Sequence, residues 1–361
     1  MKCLLVYIDN TIGEFLKDQE LTVDQVMLFN DVGQANLRGL CAACGDVKSI
    51  DALIKHKDIS SGIMRSLWKN WVEMGSLFQL LDIVFVITCL AKSETRHLPG
   101  CIAGKVRYLP IEYAEQWDLR NACFLIGENP RDCAFYEQLG KYFCHIHKVK
   151  GYTIKFSPVN GGGSYIGERL IESVRDQKKF SLCVVDMDWR HGFTETFGKP
   201  KDGDTYRAVM NAASELHREN LQDMFCVCPL KAHEIENLLP LCVLKRLSTK
   251  ICKTEGLELI KRMREVRNGE PILYYDFKEG LNRNGDIALC AYWEEIRTEL
   301  GGLPWEDTYY KIGDKILKET TNLIESEGVE VIELDEYLMQ IWDMLGRVLF
   351  TWGCVSRCTS S

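Results

Sequence analysis

Four carboxylates stand where two apolar runs of the sequence end. The first run, Ala122-Cys-Phe-Leu-Ile126, gives way to Gly127-Glu128 and then, through Asn129-Pro130, to a helical pattern that carries Asp132. The second, Phe180-Ser-Leu-Cys-Val-Val185, ends in Asp186-Met-Asp188. In open α/β sheets, ligands bind beyond the carboxyl ends of the strands. Acidic groups gathered there, with few basic residues between them, need a compensating cation, and hard oxygen donors suit Mg²⁺ or Mn²⁺. Asn129 fits a helix N-cap and Pro130 the first helical position, so Asp132 falls in the first turn, near the strand end bearing Glu128. Asp186 and Asp188 are two apart in an extended segment, project to one side, and can hold one ion or bridge two. A plainer account of the first pair also stands: Asp132 complements the helix dipole and Glu128 is a solvated loop residue.

Later strand ends add two more pieces. Pro229-Leu-Lys-Ala-His-Glu-Ile-Glu-Asn237 brings Glu234 and Glu236, which by spacing alone mark the start of a helix. Asp276-Phe-Lys278-Glu-Gly280 places a lysine beyond a strand end, where it can neutralise charge on a transferring phosphate or simply be solvated. The D-x-D pair occurs in glycosyltransferases and in haloacid dehalogenase phosphatases too. The phosphatases usually carry Thr or Val two residues after the second Asp, where this chain has Arg190, and they set the motif on the first strand.

Strands alternating with helices must position these groups. Residues 2–8 and 83–90 read as strands, and 23–29, 47–55 and 63–71 as helices, so residues 1–115 form a small α/β module without recognisable site chemistry. From 119 to 300 the expected order is a strand at 122–127, a helix near 130–143, a strand at 152–156 and a turn at Asn160-Gly-Gly-Gly163. A helix capped by Ser164, the strand at 180–185, a loop at 191–204, a helix at 206–217 and a strand at 224–228 come next. A short helix at 233–239, a charged helical insertion at 245–270 and a strand at 272–277 complete that unit. Residues 301–361 read as an extension packed on it, with a helix at 308–325, a strand at 329–334 and a helix at 335–349. The pattern predicts an α/β fold, a mostly parallel sheet with helices on both faces.

Composition narrows the function classes. The 361 residues are 46% hydrophobic and 27% charged, ordinary for a globular chain. A formal net charge of -8 advertises no basic surface for tight, sequence-independent nucleic-acid binding. The 16 cysteines are scattered through apolar runs and read as buried thiols of a reducing compartment. The N-terminus lacks a secretory pattern, and residues 77–90 are too few to span a bilayer and include Asp82, so a cytoplasmic protein with no membrane partner is expected. Cys41-Ala-Ala-Cys44, with Cys144, His145 and His147, is a weak candidate for zinc, lacking a well-spaced second pair. No G-x-x-x-x-G-K-[ST] is present.

The order of the pieces resembles the toprim (topoisomerase–primase) domain, a Rossmann-like fold, in the form carried by nucleases of the overcoming-lysogenization-defect type and their relatives in bacterial anti-phage defence. The matching pieces are Gly127-Glu-Asn-Pro-Arg-Asp132, Val159-Asn-Gly-Gly-Gly-Ser164, Val184-Val-Asp-Met-Asp188, His233-Glu-Ile-Glu-Asn237 and Tyr274-Tyr-Asp-Phe-Lys-Glu-Gly-Leu281. The first departs from a typical V-E-G-x-x-D in having Gly127 before the glutamate and Asn129 after it. The resemblance implies a Mg²⁺- or Mn²⁺-dependent nuclease acting on DNA, RNA or tRNA, with Glu128, Asp132, Asp186 and Asp188 as metal ligands. It makes Glu128 the general acid/base, assigns Glu234 and Glu236 to a second metal position, and gives Lys278 the stabilisation of the transition state. It also implies a partner ABC-type ATPase subunit, as in the PARIS defence system, and a homodimer. The alternative is a latent toprim subunit that docks on such an ATPase or on a phage protein.

Overall fold

Two parallel four-stranded sheets follow one another along the chain. The structure, a computed structural model, describes residues 5–74, 77–89, 105–114, 116–118, 121–187, 204–247, 254–278, 280, 291–302 and 315–356. The first sheet is built from β1 (Leu5–Ile8), α1 (Asn10–Asp18), α2 (Val23–Leu37), β2 (Ala42–Gly45), α3 (Val47–Lys55), α4 (Ser61–Met74), β3 (Ile83–Thr88), β4 (Lys105–Pro110) and α5 (Ile111–Ala114). Its strand order is β2-β1-β3-β4, parallel throughout. Every residue of β1, β2 and β3 is buried. That is how a sheet covered on both faces reads in sequence, as continuous apolar runs rather than alternation.

The second half comprises β5 (Phe124–Gly127), α6 (Pro130–Ile146), β6 (Tyr152–Ile154), β7 (Ser157–Asn160), α7 (Ile166–Ile171), β8 (Ser181–Val185), α8 (Asp204–Arg218) and β9 (Phe225–Pro229). It continues through α9 (Leu241–Leu247), α10 (Thr254–Arg264), α11 (Ala291–Glu299), α12 (Ile316–Glu327), α13 (Glu336–Gly353) and β10 (Cys354–Ser356). Strands β7-β5-β8-β9 form its parallel sheet, so the fold is α/β and Rossmann-like in both halves.

Three expected strands are corrected. The segment expected at 152–156 ends early: β6 leaves the main sheet and pairs antiparallel with β10. The strand beside β5 is instead β7, in register Leu125↔Pro158. Pro158 has no N–H to donate, which an edge strand tolerates. Residues 272–277 are not a strand: Arg267–Tyr274 is 3-10 structure, with Pro271 inside it and left-handed Asn268 (φ 54) and Gly269 (φ 83). Residues 329–334 hold only the 3-10 turn Val329–Val331 after Gly328 at φ 90. The helix expected at 308–325 begins at Ile316 and runs to Glu327, and residues 308–314 lie outside the described ones.

The C-terminal segment does more than pack on the second sheet. Phe350 at the end of α13 meets Phe143 of α6 at 5.7 Å between ring centroids, while Trp352 meets Phe85 of β3 at 5.7 Å. Phe85 in turn contacts Phe180, just before β8, at 5.0 Å. The Asp82 N–H donates to Thr351 Oγ1 (2.9 Å) and Arg347 donates to the Gln79 carbonyl (3.0 Å). One hydrophobic core therefore runs through both sheets, and α13 sits at the seam. Among the described residues, no helix is long and apolar enough to cross a membrane.

Candidate metal centre

The carboxyl ends of β5 and β8 are adjacent. Their register pairs Ile126 with Cys183, so Glu128 leaves the sheet level with Val185, one residue before Asp186. Neighbouring strands lie about 4.8 Å apart. Asn129 then caps α6: its Oδ1 accepts from the N–H groups of Arg131 (2.9 Å) and Asp132 (3.3 Å), and Asp132 Oδ2 accepts from the Asn129 N–H (3.0 Å). This reciprocal box fixes Asp132 over the strand end. Gly127 permits the close approach, because a Cβ there would lie 3.3 Å from Asp132 Cβ and 3.1 Å from Cys133 Sγ.

The glycine turn after β7 has a role that its composition did not reveal. Gly161 donates to the Gly127 carbonyl (2.8 Å) and Gly162 to the Glu128 carbonyl (3.0 Å), so the turn grips the backbone on both sides of the Glu128 N–H. A Cβ on Gly161 would stand 2.6 Å from the Gly127 oxygen.

From the β9 side come Glu234, Glu236 and Lys278. Asn237 is fully buried; its Oδ1 accepts from the Glu234 N–H (2.7 Å), and its Nδ2 donates to the carbonyls of Ile272 (2.6 Å) and Tyr275 (2.7 Å). This clamp ties the turn after β9 to the segment that delivers Lys278. Glu234 completes it, accepting from the Phe277 N–H on Oε1 (2.9 Å) and from Lys278 Nζ on Oε2 (2.7 Å). Lys278 Nζ also lies 3.3 Å from Glu236 Oε2.

Glu128, Asp132, Asp186, Glu236 and Lys278 line one cavity of about 390 Å³. Arg131 and Lys318 share its wall, two cations that the strand-end reading of the sequence did not find. Glu234 is not in the lining, both of its oxygens being turned to protein donors. Asp188 lies outside the described residues.

The charges are crowded. Burial, and then the Glu236 carboxylate, push Asp132 up to about 6. Asp186 keeps some access to water through the cavity, yet protein surrounds it, and burial followed by Glu128, Asp132 and Glu236 holds it well above the usual carboxylate range. Burial and Glu236 raise Glu234 despite Lys278. Burial opposes the Lys278 ammonium, but Glu236 and Glu234 outweigh it and raise its pKa. An all-oxygen set of carboxylates that repel one another this strongly fits a hard divalent cation.

Other candidates do not assemble in the same way. Cys41 and Cys44 are three apart on an extended run, hence on opposite faces, and Cys41 Sγ points at the Val32 carbonyl (3.6 Å). His145 and His147 are engaged with Glu330 (3.8 Å) and Asp343 (2.7 Å), so the weak zinc candidate does not assemble. Among the described residues, His233, Glu234 and Asp276 do bring ligand atoms within 4.8 Å of one another, but Glu234 is already committed to the clamp. In the first sheet, the carboxylate of Asp9 after β1 accepts from the Asn10 N–H (2.8 Å) and from the hydroxyls of Thr11 (3.2 Å) and Thr88 (3.2 Å), and so serves as the cap of α1.

Comparison of the chain with protein-family models, with curated proteins and with solved structures gave no match.

Proposed function

We propose that the chain is a divalent-metal-dependent nuclease of the toprim kind, hydrolysing phosphodiester bonds of DNA or RNA. One observation carries the reading: Glu128, Asp132 and Asp186, from separate elements, border one cavity at the carboxyl ends of adjacent parallel strands. Glu128, Asp132 and Asp186, with Asp188 beside them in sequence, would hold Mg²⁺ or Mn²⁺. Bound there, the ion supplies Lewis acidity to a phosphodiester oxygen and lowers the pKa of an attacking water. Glu128, at the rim, would serve as the general base for the attacking water. Lys278, kept protonated by Glu234 and Glu236, faces negative charge as it builds on the phosphate. Ile235 and Leu317 form an apolar part of the wall and limit access of bulk water. An anti-phage role in the cytoplasm beside an ATPase partner belongs to this proposal as its biological setting.

The test is cleavage of single- and double-stranded DNA, RNA and tRNA by the purified chain in EDTA, Mg²⁺ or Mn²⁺. Metal-dependent cleavage that Glu128→Ala and Asp186→Ala each abolish is the expected result. Near-wild-type cleavage by either variant removes that residue from the chemistry. Metal binding with no cleavage of any substrate replaces the nuclease with a docking subunit.

A further inference from the structure

The metal-site cavity carries more positive charge than the proposed chemistry uses. Among the described residues, four carboxylates line it (Glu128, Asp132, Asp186 and Glu236), and so do three cations (Arg131, Lys278 and Lys318). Lys278 is engaged, its Nζ 2.7 Å from Glu234 and 3.3 Å from Glu236. Arg131 and Lys318 are exposed, and among the described residues neither side chain is held by a carboxylate. Nor do they quench the cluster, because Asp132 stays pushed up to about 6 with both of them in the wall.

Both stand where helix stability favours an acid. Arg131 is the second residue of α6 and Lys318 the third of α12. The N-terminal end of a helix is the positive end of its dipole, which welcomes Asp or Glu and opposes a cation. Two helix N-termini thus meet at one cavity, and each brings to it a cation that its own helix does not need. The first residues of α6 have no N–H to spare for an anion: Arg131 and Asp132 donate to Asn129 Oδ1, and Pro130 has none. An anion at this wall is therefore held by side chains.

We infer that Arg131 and Lys318 bind the substrate phosphate next to the one being cut. The inference rests on the proposed phosphodiester chemistry: the divalent ion and Lys278 take the scissile group, which leaves a neighbouring phosphate for the two cations outside that set. Arg131 offers a planar fork to two phosphate oxygens, and Lys318 a single ammonium. Charge sets the order of binding. One divalent ion turns a lining of four carboxylates and three cations from net negative to net positive, so the phosphate follows the metal. Touching the substrate away from the reacting atoms, both are positioning residues, and their loss is read in KM rather than kcat.

The experiment compares the full chain with its double variant Arg131→Gln/Lys318→Gln. Two probes are offered with Mg²⁺: an oligothymidylate, and bis(p-nitrophenyl) phosphate, a scissile diester with no neighbouring phosphate. The ratio of kcat/KM for the oligothymidylate to kcat/KM for the small diester falls by about tenfold or more in the variant, through KM. Binding of fluorescein-labelled oligothymidylate is read by anisotropy across a salt series, with Ca²⁺ in place of Mg²⁺ so that turnover does not enter. The variant binds about tenfold more weakly or worse, and its log–log salt slope is shallower by about 0.7, one phosphate contact on a single strand. Arg131→Lys/Lys318→Arg keeps both charges and holds the wild-type slope. An unchanged kcat/KM ratio, or unchanged affinity and slope, in the glutamine variant overturns the inference. The two readings fail separately: a chain that cleaves neither probe yet loses affinity and slope on substitution removes only the nuclease, and metal-dependent cleavage of both probes at an unchanged ratio removes only the phosphate contact.

Discussion

Lys278 Nζ lies 2.7 Å from Glu234 Oε2, a pair that joins positions 44 residues apart and sets Lys278 in the wall of the candidate metal cavity. Glu234 is buried, while Lys278 is 45% exposed toward the cavity. Truncation in Lys278→Ala therefore strands a carboxylate rather than merely removing a surface charge. We expect a loss of about 1–2 kcal/mol, below the range for a fully enclosed pair because Lys278 is half in solvent, together with loss of cleavage. Urea denaturation read alongside the nuclease assay checks both, and a fully active variant would take Lys278 out of the chemistry.

Asp186→Asn should separate stability from metal binding. The substitution removes the charge that Glu128, Asp132 and Glu236 oppose. In EDTA the variant is expected to melt at or above the wild-type temperature, because a mutually repelling anion has gone. The rise in melting temperature that the proposed site predicts for the wild type on adding Mg²⁺ should be absent from the variant. Equal Mg²⁺ shifts in the two proteins would contradict a role for Asp186 as a ligand.

The metal-free protein should weaken as pH rises. Asp132 has a folded value of about 6, above its ordinary 3.8, so the folded state holds the proton more tightly. That stabilisation is complete below 3.8 and is lost as pH climbs through about 6. At about 1.4 kcal/mol per pKa unit it amounts to about 3 kcal/mol, and the raised values of Asp186 and Glu234 act in the same direction. Melting temperatures measured from pH 4 to 8 in EDTA, then in Mg²⁺, check this. Mg²⁺ competes with the protons and should flatten or reverse the slope.

Gly161→Ala should cost activity out of proportion to its size. Its Cβ would meet the Gly127 carbonyl at 2.6 Å, and a backbone atom has no rotamer by which to escape. A shift of β5 moves Glu128, and displacement of about 1 Å at a reacting group can cost about 100-fold in rate. The overpacking itself should cost about 1–3 kcal/mol. Gly62→Ala is the control: nothing lies within 4 Å of its Cβ, and in helix α4 it should be neutral or stabilising by up to about 1 kcal/mol.

Local chemistry made part of the site legible in sequence. The Asn129 cap, Pro130 at the first helical position and Asp132 in the first turn are all dictated within four residues, and the helix begins where those residues place it. The apolar runs before Glu128 and Asp186 are strands, β8 buried throughout and β5 at all but Phe124, as in a parallel sheet covered on both faces. Ile272-Leu-Tyr-Tyr275 misled for the converse reason. Its composition suits a strand, but Asn268, Gly269 and Pro271 just before it impose tight turns, and Asn237 takes the carbonyls that a neighbouring strand would have used. Lys318 went unread because its place at the cavity depends on how α12 packs beside α6, a relation with no short-range signal, whereas Arg131 shares the locally dictated first turn with Asp132.

The position of α13 has a consequence for biosynthesis. Both parallel sheets are encoded before residue 230, yet the helix whose Phe350 and Trp352 cover their shared seam comes only after residue 336. During translation the ribosome therefore extrudes two sheets whose seam stays wet for the time taken to add more than a hundred further residues. Nascent chains of this protein should engage chaperones through that interval, and a ribosome arrested before Trp352 should display a protease-sensitive chain.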